Sequence, residues 1–475
     1  MKSMRIQNES ASQFPGKQRS YQDIVSYLDS HWNLQITGEA KKEQLRKLAT
    51  ALELSQSKQD AIMVCGTNGK SLTAHFTTRL LKSEGLVVGS LFSPHTLTYN
   101  ERIVLNGEQI NNRSFTELGS KVLDIAAEKG LTLGSDVVLT AIAQLYFAAQ
   151  DVDVLVIENE SSRAHDPATL CNTKVVVVTR VTAEDVNCTE TAQEELINEL
   201  KEIIKPGMHV VSGDQLKSHL LHIEKITLEN SGVWEMPIRK VAPLAYPFEQ
   251  IHGRCAALAE RAAMLYMNTW GTENTTVVTD SILVKQKGKR GRPTLEAKQQ
   301  EKLNPKKTVE QFWKETINEL PSRFQLLDKE APSVLLDSAD NLDALENVLL
   351  GTRLLHYKRP IEGLTIIMSA EAQSFVSEDF VRSIRYFFKK TPGQIFLCPL
   401  ESSVNPWQQG PSWDTNALVN ELTNKKVKAT AFKSFATAFE TAKASVDPKL
   451  GLIVIVGSAS IVSNYWQNRN IKKLG

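Results

Sequence analysis

The sequence predicts an α/β fold built as two successive units. Short apolar runs such as AIMVCG, DVDVLVIEN and NTKVVVVTR alternate with segments whose apolar residues recur at helical spacing. Runs that are apolar throughout are typical of strands buried on both faces of a parallel sheet. A second series of the same kind begins near residue 320, and 475 residues are too many for one ordinary core.

The individual elements follow in chain order. Residues 1–19 are polar, and residues 20–56 carry two helical patterns, IVSYLDSHW and LRKLATALEL. The strand AIMVCG precedes a predicted helix at Ser71–Ser83, and LVVGSLFS, DVDVLVIEN, NTKVVVVTR and MHVVSG complete the first series. In the second series the strands SVLLDSA, GLTIIMSA, GQIFLCPL, KVKATAF and GLIVIVGSA alternate with helices at NLDALENVLLGTRLLHY, Asp379–Lys389 and Phe435–Ala444.

Composition excludes several classes of function. The formal net charge is +1, so no global field favours nucleic acid or an anionic membrane. The five cysteines are scattered singly without a CxxC pair, which indicates neither a zinc site nor a disulfide framework. No apolar run reaches the roughly 20 residues of a membrane span, and the N-terminus lacks the apolar core of a signal peptide. We therefore expect a reduced, cytoplasmic protein without a membrane partner.

A basic segment at residues 285–307 separates the two series. It holds nine Lys and Arg residues and almost no apolar ones, so it cannot form a core. Its KRGRP stretch resembles an AT-hook, a short basic element that enters the DNA minor groove. Two interpretations stay open, a solvated basic insertion or linker and a DNA-binding arm. A single copy favours the linker, and we expect no nucleic-acid partner.

The stretch GTNGKS (Gly66–Ser71) lies between a predicted strand and a predicted helix. Such a turn presents backbone amides and a helix N-terminus to an anion, and its glycines permit the tight backbone. Lys70 would face terminal phosphates, and Ser71 could offer its hydroxyl to magnesium. Because the strict phosphate-loop pattern has glycine where this chain has Val64, the motif is a shortened variant. The local pattern alone leaves a purely structural turn open.

The residues after this loop carry a family resemblance. Within residues 85–115, GLVVGSLFSPHTLTYNERIVLNGEQINNRSF places Ser93, Pro94 and His95 ahead of Asn100, Glu101, Arg102 and Ile103. Together with GTNGKS, this resembles the folylpolyglutamate synthase/dihydrofolate synthase family of the Mur ligase superfamily. Weaker likenesses at IIKPGMHVVSG, LPSRFQLL, VLLDSADN and GLIVIVGSASIVS extend the resemblance over roughly residues 20–470.

The resemblance implies a fold and an activity. The fold is a P-loop-type parallel-sheet ATP-binding domain at 20–284, after a flexible 1–19, and a smaller Rossmann-like C-terminal ligase domain at 308–475 beyond the 285–307 insertion. The activity is ATP- and Mg²⁺-dependent amide formation, in which a folate-type carboxylate forms an acyl phosphate that glutamate captures. Members of this branch are commonly monomeric, so we expect a monomer.

The resemblance also implies roles for individual residues. The phosphate loop is Gly66, Thr67, Asn68, Gly69, Lys70 and Ser71, and Lys70 and Glu158 are the expected catalytic residues. Magnesium would be held by Ser71, Glu158 and Asp185, near the substrate loop Ser93, Pro94 and His95. From the second domain Arg323, Asp337 and Asn341 would contact the nucleotide. Glu158 could instead be an ordinary strand-end acid, and His95 a packed loop histidine.

Several family positions are changed in this chain. The glycine-rich stretch is Asn159–Arg163, and Asp185 aligns with a metal-binding histidine. Counting back from IIKPG places Leu200 where the family has a carbamylated lysine, with Lys201 one residue later. Asp340 replaces a histidine beside the nucleotide. These changes keep a second hypothesis open, a divergent nucleotide-binding protein that does not ligate.

Overall fold

The computed structural model describes most of the chain in two α/β units. The described residues are 19–32, 39–54, 59–159, 171–183, 188–235, 249–270, 312, 320–369, 377–400 and 413–474. Asp185, the segment 285–307 and part of the changed stretch after Asn159 lie outside them.

The first unit contains a mixed sheet and its flanking helices. Its strands are β1 (Asp60–Cys65), β2 (Val88–Leu91), β3 (Ile103–Leu105), β4 (Glu108–Gln109), β5 (Val154–Glu158), β6 (Asn172–Val178), β7 (His209–Ser212) and β8 (Val233–Trp234). Its helices are α1 (Tyr21–His31), α2 (Glu39–Ala51), α3 (Lys70–Ser83), α4 (Asn112–Glu128), α5 (Ser135–Ala148), α6 (Glu190–Asn198), α7 (Leu200–Ile203), α8 (Lys217–Glu229) and α9 (Glu249–Trp270), with a 3₁₀ turn at Tyr99–Arg102.

The strand order of this sheet is β4-β3-β2-β5-β1-β6-β7-β8. The strands from β2 to β8 in this order pair in parallel, and β3 and β4 add antiparallel pairs at one edge. Strand β1 therefore lies between β5 and β6. Because the carboxyl ends of parallel strands share one edge, the loops after β1, β5 and β6 are neighbours.

Alternate residues of β1 explain the two helical layers. Ala61 and Met63 belong to the core beneath α1, α4 and α5, while Ile62 and Val64 belong to the core beneath α3 and α9. All four side chains are fully buried. A strand covered on both faces has no polar side, which is why it is apolar throughout in the sequence.

The second unit repeats this construction on a smaller scale. Its strands are β9 (Gln325–Leu327), β10 (Ser333–Asp337), β11 (Leu364–Met368), β12 (Gln394–Leu397), β13 (Ala429–Ala431) and β14 (Leu452–Val456), in the order β13-β12-β11-β14-β10-β9. Strands β10 to β14 pair in parallel, and β9 is antiparallel. Helices α10 (Leu342–Lys358), α11 (Glu378–Lys390) and α12 (Thr415–Asn424) cover one face, and α13 (Phe435–Ser445) and α14 (Ala459–Asn468) the other.

The structure confirms the α/β class with two parallel-sheet units. The short strands β3, β4, β8 and β9 were not predicted. Two of them, β4 and β8, have only two residues each, too few to produce a periodic pattern. Among the described residues, no helix combines the length and apolar character needed to cross a bilayer.

Replacing Phe76 by alanine is expected to destabilise the first unit. Phe76 lies in α3 and is fully buried against the sheet and α9. Removing a buried phenyl ring costs about 3–5 kcal/mol, because apolar contacts are lost and a cavity remains. Urea unfolding of the wild type and Phe76→Ala would measure the difference.

The matched control is Tyr357→Ala, since Tyr357 is an aromatic residue of α10 that is 72% exposed. Its change in unfolding free energy should stay within about 0.5 kcal/mol. Equal losses in the two variants would contradict the assigned core.

Candidate functional site

The loop between β1 and α3 is tight because two of its glycines have left-handed backbone angles. Gly66 has φ of +119° and Gly69, which caps α3, has φ of +90°. A Cβ at Gly66 would collide with the Thr179 hydroxyl at the end of β6. The loop therefore passes closer to β6 than any residue with a side chain permits.

The segment after β6 accepts hydrogen bonds from the phosphate loop. Thr67 N and Asn68 N both donate to the Arg180 carbonyl oxygen, at 2.6 and 3.4 Å. The Thr67 hydroxyl donates to the Thr182 carbonyl at 3.1 Å. Because the amides of Thr67 and Asn68 already have an acceptor, backbone binding of an anion falls mainly to the amides in the first turn of α3. Those amides lack acceptors within their own helix.

Ser71, Glu158 and Ser93 meet at the carboxyl edge of the sheet. Val64 of β1 pairs in register with Glu158, the last residue of β5. The Ser71 hydroxyl donates to Glu158 Oε1 at 2.9 Å, and Ser93 N donates to Glu158 Oε2 at 3.1 Å. Glu158 is 5% exposed. Both carboxylate oxygens of Glu158 therefore accept a hydrogen bond, one from the phosphate loop and one from the substrate loop. An ordinary strand-end acid makes fewer contacts.

Two cations face this carboxylate. Burial raises the pKa of Glu158, while Lys70 and Arg323 act in the opposite direction. Lys70 Nζ donates to the Thr67 carbonyl at 3.0 Å, which folds its side chain back over the phosphate loop. The arrangement is a buried acid beside two positive groups and a helix N-terminus, and it suits binding of an anionic group together with a cation.

The oxygen donors at this point fit a magnesium ion. Magnesium prefers oxygen ligands, usually keeps several waters, and is often held by one or two carboxylates together with substrate phosphates. The Ser71 hydroxyl and the Glu158 carboxylate, 2.9 Å apart, supply such donors. In the part of the chain that the structure describes, no group of three His, Cys, Asp or Glu side chains forms a complete metal cage.

Within the substrate loop, the His95 side chain is bonded to a neighbouring arginine. Arg102 Nε donates to His95 Nδ1 at 3.0 Å, and Arg102 Nη1 donates to the Ser93 hydroxyl at 3.3 Å. Burial, with a further contribution from Arg102, holds the pKa of His95 well below its usual range. His95 is therefore buried and bonded inside this loop, and its burial favours the neutral form of the ring. Its role in the substrate loop stays a prediction.

Arg323 of the second unit also contacts Ser71. Its Nη2 donates to the Ser71 hydroxyl at 3.1 Å, and its Nη1 donates to Ser338 in the turn after β10. Asp337, which ends β10, accepts from Phe324 N at 2.7 Å and from Ala339 N at 2.8 Å. Burial raises the pKa of Asp337 to about 6, although Arg323 and the two amides oppose the shift.

Asn341 contacts the phosphate loop directly. It caps α10 through a bond from Ala344 N, and its amide pairs reciprocally with Asn68. The two N–H···O distances of this pair are 3.0 and 2.9 Å. Asp340 lies beside it and accepts from Asn341 Nδ2 at 3.1 Å. Two predicted residues of the second unit, Arg323 and Asn341, therefore contact the loop, and Asp337 lies near the charge of Arg323.

Leu200 is buried at the position where the resemblance implies a carbamylated lysine. It lines a small hollow with Cys65, Gly66 and Thr67 beneath the phosphate loop. Lys201 is exposed and faces α8, where burial lowers the pKa of His222 and the charge of Lys201 adds to that shift. Lys201, the lysine one residue later, is therefore at the surface, whereas Glu158 is buried.

The sequence analysis missed two residues that join the units. Arg180 Nη1 and Asp343 Oδ1 form an ion pair at 2.8 Å, and Asp343 Oδ2 also accepts from Asn68 Nδ2 at 2.8 Å. The only available signals were an arginine two residues after a strand and an acid in the first turn of a helix. Both are common, and neither indicates a partner so distant in sequence.

Comparison with known proteins identifies related sequences. No protein-family model matches the chain. It is 27% identical over 248 residues to a dihydrofolate synthase/folylpolyglutamate synthase of Bacillus subtilis, covering 51% of this chain and 54% of that protein. The chain thus spans about half the length of the curated relatives it matches.

Solved structures share the fold over nearly the whole chain. Folylpolyglutamate synthase of Mycobacterium tuberculosis complexed with ADP has a TM-score of 0.73 at 17% identity, covering 94% of this chain and 97% of that one. The bifunctional folylpolyglutamate synthase/dihydrofolate synthase of Yersinia pestis complexed with AMPPNP and Mn has a TM-score of 0.71 at 18% identity, covering 97% and 100%. At identities this low, the likeness of the structures establishes a shared fold, the two-unit architecture, and nothing further.

Replacing Gly66 by alanine is expected to destabilise the protein more than Gly85→Ala. Both glycines have positive φ, but only the Cβ at Gly66 would collide with Thr179, while none of the surrounding atoms approaches a Cβ at Gly85. The backbone cost of a left-handed residue is roughly 1–2 kcal/mol and should appear in both variants. Thermal unfolding of the two variants measures the extra cost, and equal shifts would contradict the close approach of the loop to β6.

Replacing Asp337 by asparagine is expected to remove a pH-dependent contribution to stability. The pKa of Asp337 rises from 3.8 to about 6 on folding, so the folded protein binds the proton more tightly. The associated stability is present below pH 3.8 and is lost as pH rises through 6. The unfolding free energy of the wild type minus that of Asp337→Asn should fall by about 3 kcal/mol between pH 3.5 and 7.

Asp447→Asn supplies a control of opposite sign. Two backbone amides, from Leu450 and Lys449, lower the pKa of Asp447. Its contribution is therefore present above its unfolded pKa and is lost as pH falls, so the corresponding difference should rise with pH. Denaturant unfolding at several pH values measures both differences, and a flat difference for Asp337→Asn would be inconsistent with the burial of Asp337.

Proposed function

We propose that this chain, a divergent relative of the folylpolyglutamate synthase/dihydrofolate synthase family with their Mur ligase-type fold, is an ATP- and magnesium-dependent amide ligase. The proposal is supported most by one arrangement. Ser71 of the phosphate loop bonds to Glu158 at 2.9 Å and accepts from Arg323 of the second unit at 3.1 Å. The Glu158 carboxylate and the Arg323 guanidinium of the second unit are thus both bonded to one hydroxyl of the phosphate loop, that of Ser71.

The chemistry of such a ligase needs positive charge between two anions. A carboxylate must approach the terminal phosphate of ATP, so repulsion has to be offset before the acyl phosphate can form. Lys70, the first-turn amides of α3 and Arg323 would hold the phosphates. Ser71 and Glu158 would hold magnesium, with Asp185 as a further candidate ligand. Bound magnesium would supply charge neutralisation at the phosphate oxygens.

The finer assignments belong to the same proposal. Residues 20–284 would form the ATP-binding domain and residues 308–475 the second ligase domain. A folate-type carboxylate would be the acceptor and glutamate the incoming amino acid, in a monomeric cytoplasmic enzyme. Asp337 and Asn341 would contact the nucleotide, and Ser93, Pro94 and His95 would shape the acceptor side of the site. Contact between the units would exclude water from the acyl phosphate.

The second candidate function is nucleotide binding without ligation. It is favoured by Leu200, which is 2% exposed beneath the phosphate loop where a carbamylated lysine is implied by the resemblance. An aliphatic side chain supplies no ligand for magnesium. Asp340 adds negative charge near the proposed phosphates. Both changes would reduce turnover more than binding.

Lys70→Met is expected to lower affinity for an ATP analogue, and Glu158→Gln to lower turnover. Removing the Lys70 charge takes a cation from the phosphates, whereas Glu158→Gln keeps the shape but removes the carboxylate that would hold magnesium. ADP release with tetrahydrofolate, glutamate and magnesium should fall about 100-fold or more in Glu158→Gln. Calorimetry with a non-hydrolysable ATP analogue measures the affinities.

Lys82→Met is the matched control, because Lys82 lies on the exposed end of α3 and bonds to the Asn106 carbonyl. It should leave both ATP-analogue affinity and ADP release unchanged. ATP-analogue binding by the wild type without glutamate-dependent ADP release across folate-type acceptors would reject the ligase and leave the second candidate. No nucleotide binding at all would reject both.

A further inference from the structure

A line of polar contacts joins the phosphate loop to the start of α10. The Asn68 and Asn341 amides pair reciprocally, and Asn68 Nδ2 also lies 2.8 Å from Asp343 Oδ2. Asn341 is the N-cap of α10, and Asp343 is in its first turn. The loop is thus bound to a rigid helix end.

Arg180 extends this line from the other side of the loop. Its carbonyl oxygen accepts from Thr67 N and Asn68 N, and its guanidinium pairs with Asp343 Oδ1 at 2.8 Å. One residue therefore holds the phosphate loop through its backbone and the second unit through its side chain. The Arg180 and Asp343 side chains are 33% and 20% exposed.

The same turn of the second unit carries the contact to Arg323. Ser338, which accepts from Arg323, and Asp343, which pairs with Arg180, both lie in the short segment 337–343, from the end of β10 to the first turn of α10. A displacement of this segment would carry Ser338 with it and change the position of Arg323 relative to Ser71. The segment thus links the contact of Asp343 with Arg180 to the contact of Arg323 with Ser71.

We propose that Arg180 and Asp343, together with the Asn68–Asn341 amide pair, form an interdomain clasp that positions Arg323 against the phosphate loop. The clasp is defined by these four residues, and its charged members, Arg180 and Asp343, are not among the residues proposed to hold ATP, magnesium or the acceptor. The expected effect on turnover rests on the proposed ligase function. The clasp itself is a contact between the two units and does not depend on that function. Arg180 and Asp343 are thus positioning residues.

Arg180→Gln and Asp343→Asn test the clasp, since each removes one charge and keeps a polar group of similar size. Each should lower kcat for ADP release about tenfold, because Arg323 is misplaced, and should lower the affinity for an ATP analogue less, because Lys70 and the first-turn amides of α3 still hold the phosphates. Charge exchange in Arg180→Asp/Asp343→Arg should restore part of the lost kcat.

Hydrogen exchange supplies a readout that does not depend on turnover. In Arg180→Gln, backbone amides of the phosphate loop and of the first turns of α10 should exchange about tenfold faster than in the wild type. If the wild type binds nucleotide but does not ligate, this measurement still decides the clasp, so failure of the ligase proposal and failure of the clasp are distinguished.

Arg359→Gln is the matched control. Arg359 also pairs with an aspartate, Asp328 at 2.7 Å, but both residues lie within the second unit. It should leave kcat and the exchange of the phosphate loop unchanged. The clasp would be overturned if Arg180→Gln matched Arg359→Gln in exchange at both segments, or if the losses in kcat appeared without any change in exchange.

Discussion

The parallel pairing of β1 with β5 and β6 is the constraint on which the rest of the site depends. It places the carboxyl ends of three strands at one edge, so Glu158 from β5 and Arg180 after β6 lie on either side of the phosphate loop. A shift of β5 by one residue would turn Glu158 to the opposite face of the sheet. The complete burial of alternate residues on both faces of β1 opposes such a shift.

This arrangement places one buried carboxylate among positive groups. Burial alone would favour protonated Glu158, and Lys70 and Arg323 oppose that effect from two different units. The electrostatic balance of the site therefore depends on how the two units meet. The Ser71 hydroxyl is bonded to both Glu158 and Arg323, so both bonds form only when these two residues keep their relative position. A change of packing between the units would weaken the opposition of Arg323 to the effect of burial on the pKa of Glu158.

The changed positions divide into two kinds. Leu200 is accommodated as a core residue, since its side chain lines an apolar hollow below the loop. Asp340 remains polar and bonds to Asn341, which in turn pairs with Asn68. The first change removes a functional group from the proposed metal region without disturbing the fold. The second becomes part of the polar contact between the units, where an additional acid is held by a neutral amide.

The sequence by itself determined the α/β class, the strand–loop–helix around Gly66–Lys70, and the strand end at Glu158. These depend on local rules, namely apolar runs for buried strands and glycines for a loop with positive φ. The sequence also indicated Arg323, Asp337 and Asn341 through motif likeness, while Asp185 stays a prediction because it lies outside the described residues.

Only the tertiary structure decided that His95 is buried and bonded to Arg102, that Lys201 is exposed, and that Arg180 pairs with Asp343. Each of these outcomes depends on side chains that are brought together by the sheet order or by the contact between two units. Local periodicity contains no information on such contacts, because the partners are remote in sequence and belong to common residue types. Their geometry follows from packing over the whole chain.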